Sequence, residues 1–470
     1  MKSVHLMGIG GTGMVALAGL FQERGWAVRG SDAKVYPPAS TELARMGIDV
    51  REGYRAENLE PKPDLVVVGN VITRKNPEAE ALLKSGLSYT SMAQALAAHF
   101  LAQRRSIVVA GTHGKTTTTS LVAWILECAG QSPGLFVGGV PLDFSRGYRL
   151  GSGEPFVVEG DEYDTAFFEK TPKFLHYRPH DCILTSVEFD HADIYRDLAH
   201  VVGEFEKLVA LIPSDGLLVA NGDSETIRKL LACRKGLVQT YGRAPSSEWR
   251  AVNATVTAEG SRFVVEKEGR REAEISWQLL GQYNVDNGVA AFALARHLGV
   301  EARVVAQAMA NFRGVRRRQE FLGEARGAKF YDDYAHHPTA IEATLSAFEP
   351  LAKASGGKLW AVFEPRSNTV RRRVFQDMLP ESFSKADRVI LAPVYRKADS
   401  LTDAELLSPQ EVAIAIRKKA RDARAPVTMA AVSEILVAEV ARGDVVVFMS
   451  NGDFGGLPRG VVRSISESRG

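Results

Sequence analysis

Residues 106–117 read Ser-Ile-Val-Val-Ala-Gly-Thr-His-Gly-Lys-Thr-Thr, an apolar, β-branched run that breaks at Gly111 into a polar loop bracketed by glycines. An apolar run of this length, followed by a helical pattern, is what a buried strand feeding a phosphate-gripping turn requires, and it gives the chain an α/β reading. The usual phosphate loop would want glycine where Val109 stands, so the working pattern is Gly111-Thr112-His113-Gly114-Lys115-Thr116-Thr117. Glycines and helix-start amides cradle phosphate oxygens, Lys115 offsets charge on the β- and γ-phosphates, and a hydroxyl of Thr116 or Thr117 can ligate Mg²⁺. ATP with Mg²⁺ is the expected ligand.

Outward from this loop, buried-strand runs recur at 155–161, 181–191 and 216–223, each ending in polar residues. In open α/β sheets ligands gather at the carboxyl ends of strands, so Lys115, Glu159 and His191 are expected to face one crevice. Glu159-Gly160-Asp161-Glu162-Tyr163-Asp164 concentrates four carboxylates there. That is costly unless cations or donors neutralise them, which a Mg²⁺ site explains; a solvated acidic turn is the bland alternative. Asp190-His191 ends the next run, and a histidine there is either structural or a metal ligand.

Toward the N-terminus, strands are expected at 3–9, 26–30 and 64–70 with a helix at 14–24, in a first domain reaching about residue 104. Gly8, Gly10, Gly11 and Gly13 give G-x-G-x-x-G between strand and helix, with Asp32 placed to meet a ribose hydroxyl. A tight turn without ligand is the alternative. Toward the C-terminus a third series, 328–338, 358–369, 387–395 and 444–456, follows the segment GVRRRQE at 314–320.

With 470 residues and 45% hydrophobic content, about three domains are expected. A formal charge of +2 gives no overall field toward nucleic acid or an anionic membrane. Arg316–Arg318 and Arg371–Arg373 lack the interleaved aromatics of a nucleic-acid surface and suit phosphates or carboxylates better. Cys128, Cys182 and Cys233 fit neither a disulfide framework nor a cysteine-based zinc site. The N-terminus is unlike a secretory signal, and no apolar run approaches the ~18 residues of a membrane span, so a cytoplasmic protein is expected. His336-His337 beside Asp332 and Asp333 imitates a metal cluster, but adjacent side chains of an extended chain point to opposite faces.

In their order, the glycine-rich start, GTHGKTT, EGDEYD, EFDH, GQYNVDN and YDDYAHHP resemble the Mur ligase family of peptidoglycan synthesis over essentially the whole chain. The resemblance implies three domains: an N-terminal Rossmann-like nucleotide-sugar domain at 1–104, a central ATPase-type sheet at 105–314 and a C-terminal Rossmann-like acceptor domain at 315–470. It implies ATP at Gly111–Thr117 with Asn284 and Asn287 at adenine, one Mg²⁺ at Thr116 and Glu159, and a second that His191 helps hold. UDP-N-acetylmuramate is implied at Gly8, Gly10, Gly11, Gly13, Asp32, Asn70 and His337, with uracil near Asn70–Glu78. Many relatives carry a carbamylated lysine downstream of the Asp-His pair; here Phe205 or Glu206 falls near that place and Lys207 slightly beyond, so no carbamate is expected.

GIGGTGM and DDYAHHP indicate the muramate-binding branch. FEPRSNT at 363–369 and MSNGDFGG at 449–456 resemble the members that join UDP-N-acetylmuramate to recovered L-alanyl-γ-D-glutamyl-meso-diaminopimelate, with Arg366, Ser367 and Asn368 as acceptor readers. Members that add L-alanine, which the start GIGGTGM also resembles, are the alternative, but they carry a His-Arg-Tyr-Thr stretch where this chain has Arg366-Ser367-Asn368-Thr369. An NAD-type dehydrogenase leaves GTHGKTT unexplained, and a nucleotide-binding switch does not need two acidic strand ends. The expected chemistry is activation of a carboxylate by ATP, served by Lys115, Glu159 and His191, with a monomer as the favoured state.

Overall fold

Strand Arg105–Ala110 is buried at every position but its first, which is why its sequence is an uninterrupted apolar run rather than an alternation. It is the middle of a ten-stranded sheet. Asp181–Leu184, Leu217–Asn221 and Leu237–Tyr241 follow it on one side, and Pro155–Gly160 and Gly134–Phe136 on the other, all parallel. Three antiparallel strands, Trp249–Thr257, Gly260–Lys267 and Arg270–Trp277, extend one edge, and Tyr148–Arg149 lies antiparallel to Gly134–Phe136 at the other. The computed structural model describes residues 1–232, 234–396 and 401–467. Cys128 and Cys182 are free thiols, and Cys233 lies outside the described residues.

The first sheet holds five parallel strands in the order Asp49–Glu52, Ala27–Asp32, Ser3–Met7, Leu65–Val68, Tyr89–Ser91. Its order reverses at Ser3–Met7, the switch point where a doubly wound sheet opens its ligand crevice, and the glycine turn leaves from that strand. The third sheet has six strands, ordered Glu320–Ala325, Ala328–Asp333, Val445–Met449, Leu359–Phe363, Arg388–Leu391, Asp422–Arg424, parallel except for the first pair. With helices on these sheets, the expected three-part α/β architecture is present.

One core spans the first two sheets: Val4, Leu17 and Phe21 belong to the same buried cluster as Tyr148, Phe156 and Val158. Contact there is close enough that a Cβ on Gly19 would lie 2.2 Å from the Tyr148 ring. The third sheet has its own apolar layers, and Leu280 and Tyr283 of the central part pack against one of them.

One expectation needs correction. The run 181–191 is strand only as far as Leu184, because beyond it the chain bonds the phosphate loop: Ser186 O accepts from Thr112 N at 2.9 Å and Ser186 Oγ from His113 N at 2.9 Å. Glu78, at the end of the stretch expected near uracil, is fully buried, with its carboxylate on His5 at 2.6 Å, Ser31 at 2.8 Å and Asn58 at 2.7 Å. Asn76 in that stretch caps helix Pro77–Ser85, accepting from Glu78 N and Ala79 N.

Candidate active site

Helix Lys115–Cys128 begins directly after the loop, with Gly114 at φ +82° as its N-cap. Gly111 takes φ +134°, and a Cβ there would sit 2.2 Å from Thr185 Oγ1. Glycine is therefore required twice over, by backbone conformation and by the approach of the next strand's extension. The loop amides and the helix N-terminus point their partial positive charge into the crevice.

Lys115 Nζ is anchored by Gly111 O at 2.6 Å and Glu162 at 2.8 Å. Burial alone would lower its pKa; the Glu162, Glu159 and Asp161 carboxylates outweigh burial and leave it raised. His191 lies 3.2 Å from the same Glu162. Burial opposes its charge too, but Glu162 and Asp190 raise its pKa to about 9, so it is an imidazolium at neutral pH. Its backbone is left-handed, φ +55°, unusual outside glycine and the kind of strain that collects at functional sites. Asp161 pairs with Lys173 at 2.6 Å, and this with Lys115 and His191 holds its carboxyl well below the usual range despite burial.

Thr116 Oγ1 donates to Glu159 Oε1 at 2.7 Å, and Glu159 Oε2 accepts from Gly138 N at 2.7 Å. A hydroxyl and a carboxylate this close form a hard, oxygen-only donor pair, the set magnesium prefers, so Thr116 and Glu159 fit that ion. His191 is committed to Glu162 and would have to release its proton before ligating a cation. Arg318 reaches Thr116 Oγ1 at 3.2 Å and lies 4.4 Å from the Tyr334 ring, bringing a third positive charge to the loop from the segment before the third sheet.

Other expected site residues are spread around this centre. Asn287 faces Gly114, its Oδ1 2.6 Å from where a Cβ would stand, whereas Asn284 turns back and donates to Leu280 O at 2.9 Å. The Gly8–Gly13 turn packs on the second strand: Gly8 N and Ile9 N donate to Ser31 O, and Gly10 N to Asp32 Oδ2 at 2.8 Å, so one Asp32 oxygen holds the turn itself. Asn70 donates to Asp164 Oδ1 at 2.7 Å, tying the first sheet to the acidic segment. Phe205 is buried and Lys207 exposed, paired with Glu204 at 2.7 Å.

From the third sheet, Asn368 donates to Asp193 at 2.9 Å, and Thr369 Oγ1 accepts from Ala192 N at 3.1 Å, so FEPRSNT rests on the loop after His191. Ser367 Oγ accepts from Val370 N within that loop. Arg366 stacks over Tyr395 at 4.0 Å and pairs with Asp453 at 2.9 Å. His336 and His337 diverge: His336 approaches Asp190 at 3.8 Å, while His337 turns to Glu188 at 3.8 Å and stands 4.9 Å from the His113 ring.

Sequence reasoning assigns no individual role to Glu162, Glu188, Asp193 or Arg318. Glu162 was within reach, three positions after Glu159 in a visibly acidic segment. The others act through partners that only folding brings near.

A strand-end loop with a buried lysine, a hydroxyl–carboxylate cation pair and an imidazolium between two sheets is a site for phosphoryl chemistry on an anion. The Mur ligase catalytic-domain family matches residues 3–104, its middle domain 109–295, and its glutamate ligase domain 317–452. The chain is a Mur ligase. Over 97% of its length, this Mur ligase is 41% identical to the UDP-N-acetylmuramate--L-alanyl-γ-D-glutamyl-meso-2,6-diaminoheptandioate ligase of Escherichia coli strain K12, covering 96% of that protein. It is 36% identical over 96% of its length to the UDP-N-acetylmuramate--L-alanine ligase of Renibacterium salmoninarum, covering 93% of that protein. Among solved structures, the murein peptide ligase of Psychrobacter arcticus 273-4 superposes with a TM-score of 0.73 at 36% identity, over 99% of both chains.

Proposed function

We propose that this Mur ligase joins UDP-N-acetylmuramate to L-alanyl-γ-D-glutamyl-meso-diaminopimelate at the expense of ATP, in peptidoglycan recycling in the cytoplasm. The observation that carries the choice of acceptor is the 41% identity, over almost all of both chains, to a ligase named for that peptide. We divide the chain at 1–104 for the nucleotide sugar, 105–314 for ATP and 315–470 for the acceptor.

In the first step an oxygen of the lactyl carboxylate attacks the γ-phosphorus, the bond to the β-γ bridging oxygen breaks, and an acyl phosphate and ADP result. Two anions must meet, so the work is charge neutralisation and alignment. Lys115 and the loop amides hold the phosphate oxygens. Arg318 and His191 bring positive charge from the other two sides. Magnesium at Thr116 and Glu159 would shield the phosphate oxygens from the incoming carboxylate. In the second step the peptide amine attacks the acyl carbon and inorganic phosphate leaves. The amine must lose a proton as it attacks, and His191 or a carboxylate of the acidic segment is the acceptor within reach.

A tripeptide differs from alanine in its extra carboxylates, for which an arginine fork is suited. Arg366 is poised for this, since its present partner, Asp453, is exposed and an incoming carboxylate can replace it. Phosphate release should be measured with ATP and UDP-N-acetylmuramate, offering tripeptide and L-alanine in parallel. Tripeptide should be preferred, and Arg366→Ala should raise its KM about tenfold or more. Turnover with L-alanine alone would favour the biosynthetic reaction; none with either would remove the ligase assignment.

A further inference from the structure

One cluster of ligand-forming side chains stands outside the oxygen-only pair at Thr116 and Glu159. His113 of the phosphate loop, Glu188 beyond strand Asp181–Leu184 and His337, the N-cap of helix Pro338–Ser355, each offer one ligand atom, and these atoms all lie within 4.8 Å of one another. We propose that they form a transition-metal site, selective for a zinc-like cation over magnesium, that staples the C-terminal part of the chain to the phosphate loop. The inference does not depend on which acceptor the ligase uses.

The donor set separates the two kinds of ion. Two imidazoles and one carboxylate suit zinc, whereas magnesium demands oxygen ligands in near-octahedral array. Bonds of about 2.0–2.2 Å place tetrahedral ligand atoms roughly 3.3–3.6 Å apart. His113 Nε2 is 3.4 Å and His337 Nδ1 is 3.8 Å from Glu188 Oε2, and all three ligand atoms lie within 4.8 Å of one another, so a modest contraction of the cluster forms three vertices and leaves the fourth for water.

A second observation points the same way. His113 Nε2 is shut off from solvent yet makes no hydrogen bond among the described residues. A buried ring nitrogen 3.4 Å from a carboxylate, in ion-pair range without hydrogen-bond geometry, is completed either by a proton on the ring or by a cation held between the three groups. The surroundings also orient the ligands as outer-shell groups do. Thr339 Oγ1 donates to Glu188 Oε2 at 2.7 Å, and Thr112 Oγ1 accepts from Glu188 N at 2.9 Å. Phe375 packs edge-on against the His337 ring, 4.7 Å between centroids. The contact His337 would give up is the weak one it accepts from Thr339 N at 3.3 Å.

Because two ligands come from the central part and one from the C-terminal part, a bound metal requires the arrangement in which these parts meet and restrains their separation. Zinc should therefore slow turnover in the presence of excess magnesium, and a chelator should restore it.

The full chain, in excess Mg²⁺ and without nucleotide, should be titrated with Zn²⁺ by calorimetry and with Co²⁺ by visible absorption. One equivalent of Zn²⁺ should bind, and Co²⁺ should give the intense bands of a tetrahedral site. Glu188→Gln and His337→Gln should each weaken binding about tenfold or more. No binding to the unaltered chain, full displacement by Mg²⁺, or unchanged affinity in both variants would overturn the proposal. Anomalous scattering from zinc-grown crystals of the unaltered chain gives an answer independent of how the variants fold: a peak bonded to all three residues supports the site, and a peak on other histidines refutes it.

Discussion

Glu162 receives two cations, Lys115 at 2.8 Å and His191 at 3.2 Å, where burial would otherwise neutralise all three groups. The raised His191 pKa rests mainly on this contact, so Glu162→Gln should drop it from about 9 toward the ordinary 6.5, by one unit or more, in an imidazole NMR titration. An unchanged value would show that Asp190 alone sustains the charge. The linked stability has a definite direction. A histidine raised in the folded state stabilises fully below its unfolded pKa and loses that contribution as pH rises through about 9, on the order of 3 kcal/mol for this displacement. The unaltered chain should therefore lose more stability between pH 6.5 and 9 than Glu162→Gln does. Gly111 is constrained differently, by φ +134° and a Cβ site 2.2 Å from Thr185 Oγ1. Gly111→Ala should cost about 2–3 kcal/mol in urea unfolding and weaken ATP binding with it, because strand Asp181–Leu184 and the loop must part to admit the methyl group. Full stability in that variant would mean the loop relaxes freely.

Between elements, Asp181 shows how the central strands are fastened at the end away from the crevice. Its carboxylate is fully buried, gripped by Arg105 of the adjacent strand at 2.6 Å and by Leu217 N at 3.0 Å. Burial pushes its pKa up, but the Arg105 bond, the Leu217 amide and the arginine's charge prevail and leave it lowered. A lowered carboxyl stabilises above its unfolded pKa near 4 and loses that contribution as pH falls below it. Asp181→Ala should cost about 3–5 kcal/mol near neutrality, and its deficit should shrink on acidification below pH 4. A deficit constant with pH would show that packing rather than charge is at stake. The same strands explain what was legible in the sequence. Ile107–Ala110, Phe156–Val158 and Val445–Met449 are buried on both faces and therefore read as unbroken apolar runs. Trp249–Trp277 did not read as strands, because as a half-solvated antiparallel edge it mixes charges with β-branched residues. Glu188 and Asp193 lie in a loop whose purpose is set by Thr339 and Asn368, far away in the chain.

For the whole molecule, the distribution of buried surface determines which parts unfold together. The first and central sheets share one apolar cluster in which Tyr148 lies against Gly19, whereas the third sheet keeps its own layers and meets the rest mostly through polar contacts such as Asn368–Asp193 and Thr339–Glu188. Polar contacts of this kind contribute about 1 kcal/mol each and break without exposing a core. Scanning calorimetry should accordingly resolve two transitions, one for the first two sheets together and one for the third. Tyr148→Ala should lower only the transition of the shared core, by about 3–4 kcal/mol, since the ring is buried between the two sheets and its loss leaves a cavity. A single transition that shifts as a whole in Tyr148→Ala would show instead that Leu280, Tyr283 and the polar seam couple the third sheet to the rest as tightly as a core does.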